Sequence, residues 1–161
     1  AIVMGKTVTT EFAYFKPGKT ANPRGLGHTP GGSSSGSAAA VADFMVPLGF
    51  GSQTAASLTR PAAYCGITGY KASWGQHPLD GIQGLAPSLD SLGILSRSAE
   101  DSEIMRSALL NEPYRPLDTT SHRLRIGLCQ TPDWASADAT VADAMEDAGS
   151  HHWFCRKFSQ T

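Results

Sequence analysis

Short apolar blocks alternate with polar, glycine-rich segments along the chain and predict strands and helices in turn. Residues 98–110 have the amphipathic spacing of a helix, and Ser98 with Asp101 three residues later resembles a capping box. Residues 124–130 are predicted to form a strand, and residues 136–149 are predicted to form another helix. This alternation of strands and helices favours an α/β fold.

The first half of the chain gives a weaker periodic signal. Residues 1–4 are an apolar run that predicts a buried strand, and residues 9–15 fit a short helix. Residues 37–45 predict a helix of small residues, and residues 46–54 predict a strand that leads into a loop. The segment 74–93 is predicted to be irregular, because glycine and proline interrupt it repeatedly.

Composition and charge limit which partners and which cellular compartment the sequence favours. The chain has 161 residues, of which 40% are hydrophobic and 17% charged, and its net charge is −1. A charge this close to zero gives no electrostatic basis for a nucleic-acid or membrane-surface partner, and no apolar run is long enough to span a bilayer. The three cysteines are odd in number and lack metal-ligand spacing, which favours reduced thiols in the cytoplasm. The N-terminus lacks a basic region followed by an apolar one, so no signal peptide is expected.

The stretch PGGSSSGSAAAVA, residues 30–42, joins a glycine- and serine-rich run to a predicted helix. Such a run could be a flexible linker or a phosphate loop, although no Gly-Lys-Ser/Thr follows it. It also satisfies the Gly-x-Ser-x-Gly pattern of a nucleophile elbow, with Ser34 at the centre. A hydrolase of that type needs an acid and a histidine downstream. The candidates, which no spacing supports, are Asp80, Asp90, His122 and His151.

A second loop of small residues carries another serine. GSQTAASLTRPAAYCGITGYK, residues 51–71, places Ser57 24 residues after Ser33, with one predicted helix and one predicted strand between them. That much intervening structure is about what is needed to bring two loops back to one end of a sheet. We therefore expect the two serine-bearing loops to lie side by side.

Three segments, TPGGSSSGSAAAVA, GSQTAASLTRPAAYCGITGYK and GLAPSLDSLGILSRSAED, together resemble the amidase signature family. The resemblance is strongest over residues 1–145, whereas residues 146–161 form an atypical tail. It implies a single partial amidase domain over residues 1–161, as an internal piece of a longer enzyme. The implied fold is α/β, with a mixed central β-sheet flanked by helices.

The resemblance implies that Ser57 is the nucleophile and that Ser33, after a cis Gly32–Ser33 peptide bond, is a bridging serine. In this family a neutral lysine deprotonates the bridging serine, which deprotonates the nucleophile. That lysine precedes the glycine- and serine-rich loop and would fall before residue 1. The residues implied in the oxyanion hole and around the cis peptide are Thr54, Ala55, Ala56, Gly32 and Ser34. No metal or organic cofactor is implied.

Some positions depart from the family's pattern. Ala55 and Ala56 stand where many members have two glycines, and alanine would be strained at either position if φ were positive there. Gln53 stands where many members have aspartate, and we expect it to order the loop through a hydrogen bond. The lysines present near the loop are not expected to replace the missing one. They are Lys6, Lys16 and Lys19.

The implied activity is hydrolysis of a carboxamide through an acyl-enzyme on Ser57, with a small-molecule amide as partner. One alternative is the glutamine-amidase subunit of a tRNA-dependent amidotransferase, which would need partner subunits. A non-enzyme alternative is an inactive, truncated relative that oligomerises through exposed core surface. A homo-oligomer is compatible with each of these hypotheses. The 161 residues alone are expected to be inactive, because the relay lacks its lysine.

Overall fold

The computed structural model describes residues 2–118, 126–130, 132–151 and 155–159. The chain divides into two compact units, Ala1–Leu117 and Asp118–Thr161. Among the described residues, no helix combines the length and the apolar character that crossing a membrane requires.

A three-stranded antiparallel sheet forms the centre of the first unit. Its strands are β1 (Leu48–Gln53), β2 (Thr68–Lys71) and β3 (Ser91–Ser96). In the order β1-β3-β2, β3 is central, and Ile94 lies opposite Phe50 on one side and Tyr70 on the other. β3 is buried along almost its whole length, as a central strand covered by helices requires.

Three α-helices complete the first unit. They are α1 (Ser35–Ala42), α2 (Thr59–Cys65) and α3 (Ala99–Leu110), and a single 3₁₀ turn, Glu11–Ala13, precedes them. α1 packs against β1 and α2, and seven of its eight residues are buried, because its alanine, serine and glycine residues let it approach closely. The core between these elements contains Ala38, Val41, Ala42, Leu58, Ala62, Cys65 and Leu95.

The position of α3 follows from polar contacts at its first turn. Ser98 Oγ accepts a hydrogen bond from Asp101 N at 3.1 Å, which satisfies an N–H group that the first turn leaves unpaired. The Ser96 hydroxyl at the end of β3 shares a hydrogen bond with the Ser102 hydroxyl at 2.7 Å. The helix predicted over residues 98–110 is confirmed, and it is fixed to the sheet at its start.

The second unit is a strand–helix–strand arrangement. Its elements are β4 (Ile126–Gln130), a 3₁₀ helix (Pro132–Ser136), α4 (Ala139–His151) and β5 (Cys155–Ser159). β4 and β5 pair in parallel, and α4 lies between them in the chain. α4 begins at Ala139, later than the predicted residue 136. Asp138 caps this start, because its Oδ1 accepts from Thr140 N at 2.8 Å.

The structure differs from the predicted elements in the glycine-rich first half. Of the strand predicted at residues 1–4, residues 2–4 are described; they form no strand, and Ile2 and Val3 are 86% and 90% exposed. The segment 74–93, predicted as irregular, contains the first residues of β3. Residues 59–71, for which no element is predicted, contain both α2 and β2. Alanine and glycine give no hydrophobic period, so the pattern could not separate these elements.

The remaining elements agree with their predictions. The helix predicted over residues 37–45 is α1, although α1 begins at Ser35 and already ends at Ala42. The strand predicted over residues 46–54 is β1, and β4 lies within residues 124–130. Only one 3₁₀ turn of the helix predicted over residues 9–15 is formed. The predicted α/β fold class is confirmed, with antiparallel pairing in the first unit and parallel pairing in the second.

Gly36 lies where α1 meets the N-terminal segment. Gly36 N donates to Val8 O at 3.0 Å, and a Cβ at Gly36 would lie 2.7 Å from Val8 N and 2.8 Å from Val8 O. Because backbone atoms cannot swing aside, we expect Gly36→Ala to lower the free energy of unfolding by about 1–3 kcal/mol in urea denaturation. Gly5→Ala is the matched control, since a Cβ there meets nothing within 4 Å. An equal loss in the two variants would contradict the close contact.

Candidate active site

Two serine-bearing loops lie next to each other, as their spacing predicts. We call residues 31–34 the first serine loop and residues 54–57 the second serine loop. Ser34 N donates to Ser57 O at 3.0 Å, and a Cβ at Gly51 of β1 would overlap the Ser34 side chain. Among the described residues, no hydrogen bond joins the Ser33 and Ser57 hydroxyls. Backbone contact therefore sets the distance between the loops.

The first serine loop is held through its carbonyl groups. The Gly32–Ser33 peptide bond is cis, as the resemblance implies. Ser33 O accepts from Thr10 N at 3.0 Å and from Ser35 N at 2.8 Å, and Gly32 O accepts from Arg60 Nε at 2.9 Å. The donors come from the N-terminal segment, α1 and α2. Ser33 is thereby fixed in a nearly buried position, with 9% of its surface exposed.

Arg60 connects three parts of the first unit. Its guanidinium lies 5.5 Å from the centre of the Phe15 ring while its Nε bonds to Gly32 O. Its own backbone N–H donates to Ala56 O at 2.9 Å, in the second serine loop. One residue of α2 thus contacts both serine loops, in agreement with the hypothesis from the sequence that Arg60 orients these loops.

The second serine loop presents backbone donors without acceptors. Within the described part of the chain, the N–H groups of Thr54, Ala55, Ala56 and Ser57 donate to no acceptor. Neither alanine is among the described residues with a positive φ, so replacing glycine by alanine introduces no strain here. Consecutive unpaired N–H groups beside a serine are the arrangement that an oxyanion hole requires.

Two neighbouring side chains hold the ends of the second serine loop. Gln53 Oε1 accepts from Leu58 N at 2.9 Å and from Thr59 N at 2.8 Å, just beyond the loop. Thr54 Oγ1, at the start of the loop, donates to Asp90 Oδ1 at 2.5 Å. The loop-ordering hydrogen bond expected of Gln53 is confirmed.

Asp90 is a buried carboxylate with donors on both oxygens. Besides the Thr54 bond, its Oδ2 accepts from Leu85 N at 2.8 Å and Ala86 N at 2.9 Å. The Thr54 hydroxyl and then the Leu85 amide lower the pKa of Asp90, against the effect of burial. These contacts therefore stabilise the fold above about pH 4, and the stabilisation is lost as pH falls through the lowered pKa. The sequence had suggested Asp90 only as an acid partner of Ser34.

The nucleophile-elbow hypothesis for Ser34 lacks its structural setting. Ser34 is 3% exposed, its hydroxyl points to Ser52 O at 3.5 Å, and no strand immediately precedes it. A nucleophile elbow needs an exposed serine on a strand–turn–helix. Of the four proposed partners, Asp80 is exposed and Asp90 bonds to Thr54, Leu85 and Ala86. His151 belongs to the second unit, and His122 lies outside the described residues.

None of the described lysines of the first unit forms a hydrogen bond with Ser33. Lys6, Lys16 and Lys19 are exposed, and Lys71 Nζ donates to Ala72 O at 2.9 Å. In the part of the chain that the structure describes, no cluster of three histidine, cysteine, aspartate or glutamate residues could hold a metal ion.

The profile of the family described as Amidase matches residues 1–151. The chain belongs to the amidase family. It is 40% identical over 143 residues to the A subunit of glutamyl-tRNA(Gln) amidotransferase from Halalkalibacterium halodurans, with 85% of this chain and 28% of that protein covered.

Solved structures of family members superpose on the chain. The A subunit of glutamyl-tRNA(Gln) amidotransferase from Thermotoga maritima matches with a TM-score of 0.79 and 28% identity, over 97% of this chain and 39% of that one. The native peptide amidase from Stenotrophomonas maltophilia matches with a TM-score of 0.66 and 27% identity, over 98% of this chain and 39% of that one. The chain therefore spans well under half the length of these relatives.

Replacing Gln53 tests how the second serine loop is anchored. In Gln53→Leu, the buried Leu58 N–H and its neighbour lose their acceptor, so we expect the free energy of unfolding to fall by about 1–3 kcal/mol. Gln53→Glu keeps an oxygen at that position, so its free energy of unfolding is expected to fall clearly less than that of Gln53→Leu. Chemical denaturation of the two variants checks this. A Glu variant as unstable as the Leu variant would contradict the acceptor role.

Proposed function

We propose that these residues form the nucleophile half of an amidase site that hydrolyses a carboxamide through an acyl-enzyme on Ser57. The observation that carries the proposal is the row of unpaired N–H groups at 54–57, which ends at Ser57 itself. Family membership and the neighbouring, nearly buried Ser33 support the same assignment.

In the proposed reaction, Ser57 Oγ attacks the amide carbonyl carbon and forms a tetrahedral intermediate. The proton of the Ser57 hydroxyl passes to Ser33, and the proton of the Ser33 hydroxyl passes to a general base. The negative charge on the former carbonyl oxygen is stabilised by N–H groups of Thr54, Ala55, Ala56 and Ser57. The relay then returns a proton from the general base to the nitrogen, the carbon–nitrogen bond breaks, and the nitrogen leaves as ammonia or an amine. Water hydrolyses the acyl-enzyme by the same route.

We assign the general base to a lysine outside these 161 residues. The exposed positions of Lys6, Lys16 and Lys19 and the hydrogen bond of Lys71 to Ala72 O support this assignment. The first serine loop then acts as the bridge between that base and Ser57. In this scheme the contacts of Thr10 and Arg60 to the Ser33 and Gly32 carbonyls keep the bridge in place.

A second candidate is glutamine hydrolysis within an amidotransferase. It is favoured by the curated relatives, which are A subunits of glutamyl-tRNA(Gln) amidotransferases. In that case glutamine is the amide, and the ammonia is passed on with the help of partner subunits. Ammonia release from glutamine, compared with release from benzamide, separates this candidate from a stand-alone amidase.

The assignment of Ser57 is tested by turnover and covalent labelling in the protein that carries these residues. We expect Ser57→Ala to lower ammonia release from the preferred amide on the order of 10⁴-fold or more, and Ser33→Ala about 10²–10⁴-fold. Ser88→Ala is the matched control, because Ser88 is exposed and its hydroxyl has no hydrogen bond among the described residues.

A fluorophosphonate followed by peptide mapping identifies the reacting serine in the same protein. Label on Ser57 is the expected result. Label on Ser34, or full turnover in Ser57→Ala, would contradict the proposal and favour a different nucleophile.

A further inference from the structure

The loop between β2 and β3 is closed on itself by side-chain contacts. We call residues 72–90 the connecting loop. Trp74 Nε1 donates to Pro87 O at 3.0 Å, and Asp90 Oδ2 accepts from Leu85 N and Ala86 N. The loop therefore has a defined shape although it contains no helix or strand.

Asp90 also joins this connecting loop to the second serine loop. The last residue pair of the β1–β3 ladder is Gln53 with Ser91, and the next residues outward are Thr54 and Asp90. The hydrogen bond between the Thr54 and Asp90 side chains extends the attachment of the two strands by one step, at the point where the backbone ladder ends.

The second serine loop depends on few contacts for its position. Its N–H groups bond to no acceptor among the described residues, so no backbone ladder holds it. Its far end is held by Gln53 and by the hydrogen bonds of the Ala56 and Ser57 carbonyls. Its near end is held by the Thr54 hydroxyl on Asp90.

We infer that Asp90 is a positioning residue of the proposed amidase, which through Thr54 holds the second serine loop with its N–H groups aimed at the developing oxyanion. The inference rests on the proposed function, because it takes Ser57 as the nucleophile. Asp90 itself does not touch the reacting atoms. Its carboxylate fixes the connecting loop with one oxygen and the second serine loop with the other.

Variants at Thr54 distinguish a positioning role of Asp90 in the reaction from a purely structural role. Thr54→Val keeps the shape of the side chain and leaves Asp90 bonded to Leu85 and Ala86, but it removes the bond to the second serine loop. Thr54→Ser keeps the hydroxyl and removes only the methyl group. A loss in the first variant that the second restores therefore belongs to the hydrogen bond.

The experiment measures the rate of inactivation by an alkyl fluorophosphonate in the protein that carries these residues. In this reaction Ser57 Oγ forms a bond to phosphorus, the phosphorus–fluorine bond breaks, and fluoride leaves while the relay accepts the proton. The phosphonyl oxygen uses the same N–H groups as the oxyanion. The saturating inactivation rate and the half-saturating concentration report reactivity and binding separately.

We expect Thr54→Val to lower the saturating inactivation rate about 10–100-fold, with the half-saturating concentration changed less than about twofold. Thr54→Ser is expected to stay within about threefold of the unmodified protein. Rates are measured only on protein that the reagent titrates as competent, so unfolded material does not enter them. Asp90→Asn provides a second variant, because its amide oxygen can still accept from Leu85 N and Ala86 N while its NH2 group can donate to the Thr54 hydroxyl. It exchanges a charge-assisted hydrogen bond for a neutral one and is expected to slow inactivation less than Thr54→Val.

An unchanged rate in Thr54→Val, an effect on the half-saturating concentration alone, or equal losses in Thr54→Val and Thr54→Ser would overturn the positioning role. Ser57→Ala is run beside these variants. If Ser57→Ala is inert while Thr54→Val reacts normally, only the positioning role fails. If Ser57→Ala is still labelled at the same rate, the proposed function fails, and the inference falls with it.

Discussion

The hydrogen bond from Ser34 N to Ser57 O, 3.0 Å long, is the contact on which the arrangement of the site depends. It joins two loops that are separated in the chain by α1 and β1. A bond between backbone groups fixes the loops regardless of side-chain rotamers, so Ser33 and Ser57 keep their relative position. The proposed proton relay needs that constancy, since proton transfer requires donor and acceptor within hydrogen-bond distance.

Close packing beneath the two loops makes this contact feasible. At Gly51, a Cβ would overlap the Ser34 side chain, and at Gly93 it would overlap the Leu58 side chain. These two glycines lie opposite each other on β1 and β3, so no side chain occupies the sheet where Ser34 and Leu58 pack against it. Gly51 and Gly93 thus allow the Ser34 and Leu58 side chains to approach the sheet closely.

The elements that the sequence predicted are those with strong local signals. α3 has both an amphipathic pattern and a capping serine, Ser98, and the structure contains both. α2 and β2 lack such signals, because each is short and neither has a regular alternation of apolar and polar residues. The apolar residues 2–4 show the converse, since a run of hydrophobic residues forms no strand without a partner to pair with.

The same distinction holds for the candidate site. The serine loops and the cis peptide were expected from a motif that is continuous in sequence. The contacts from Arg60 to Gly32 and from Thr54 to Asp90 join residues 28 and 36 positions apart, and no single-sequence pattern encodes such pairs. The motif therefore predicts where the loops lie in the sequence, whereas these long-range contacts hold the loops in position.

A crystal structure of the fluorophosphonate adduct would show whether Ser57 is the nucleophile and whether the second serine loop forms its oxyanion hole. We expect phosphorus bonded to Ser57 Oγ, the phosphonyl oxygen within hydrogen-bond distance of backbone N–H groups of residues 54–57, and Ser33 Oγ beside Ser57 Oγ. An adduct on Ser33 or Ser34, or a phosphonyl oxygen turned away from the second serine loop, would contradict this expectation.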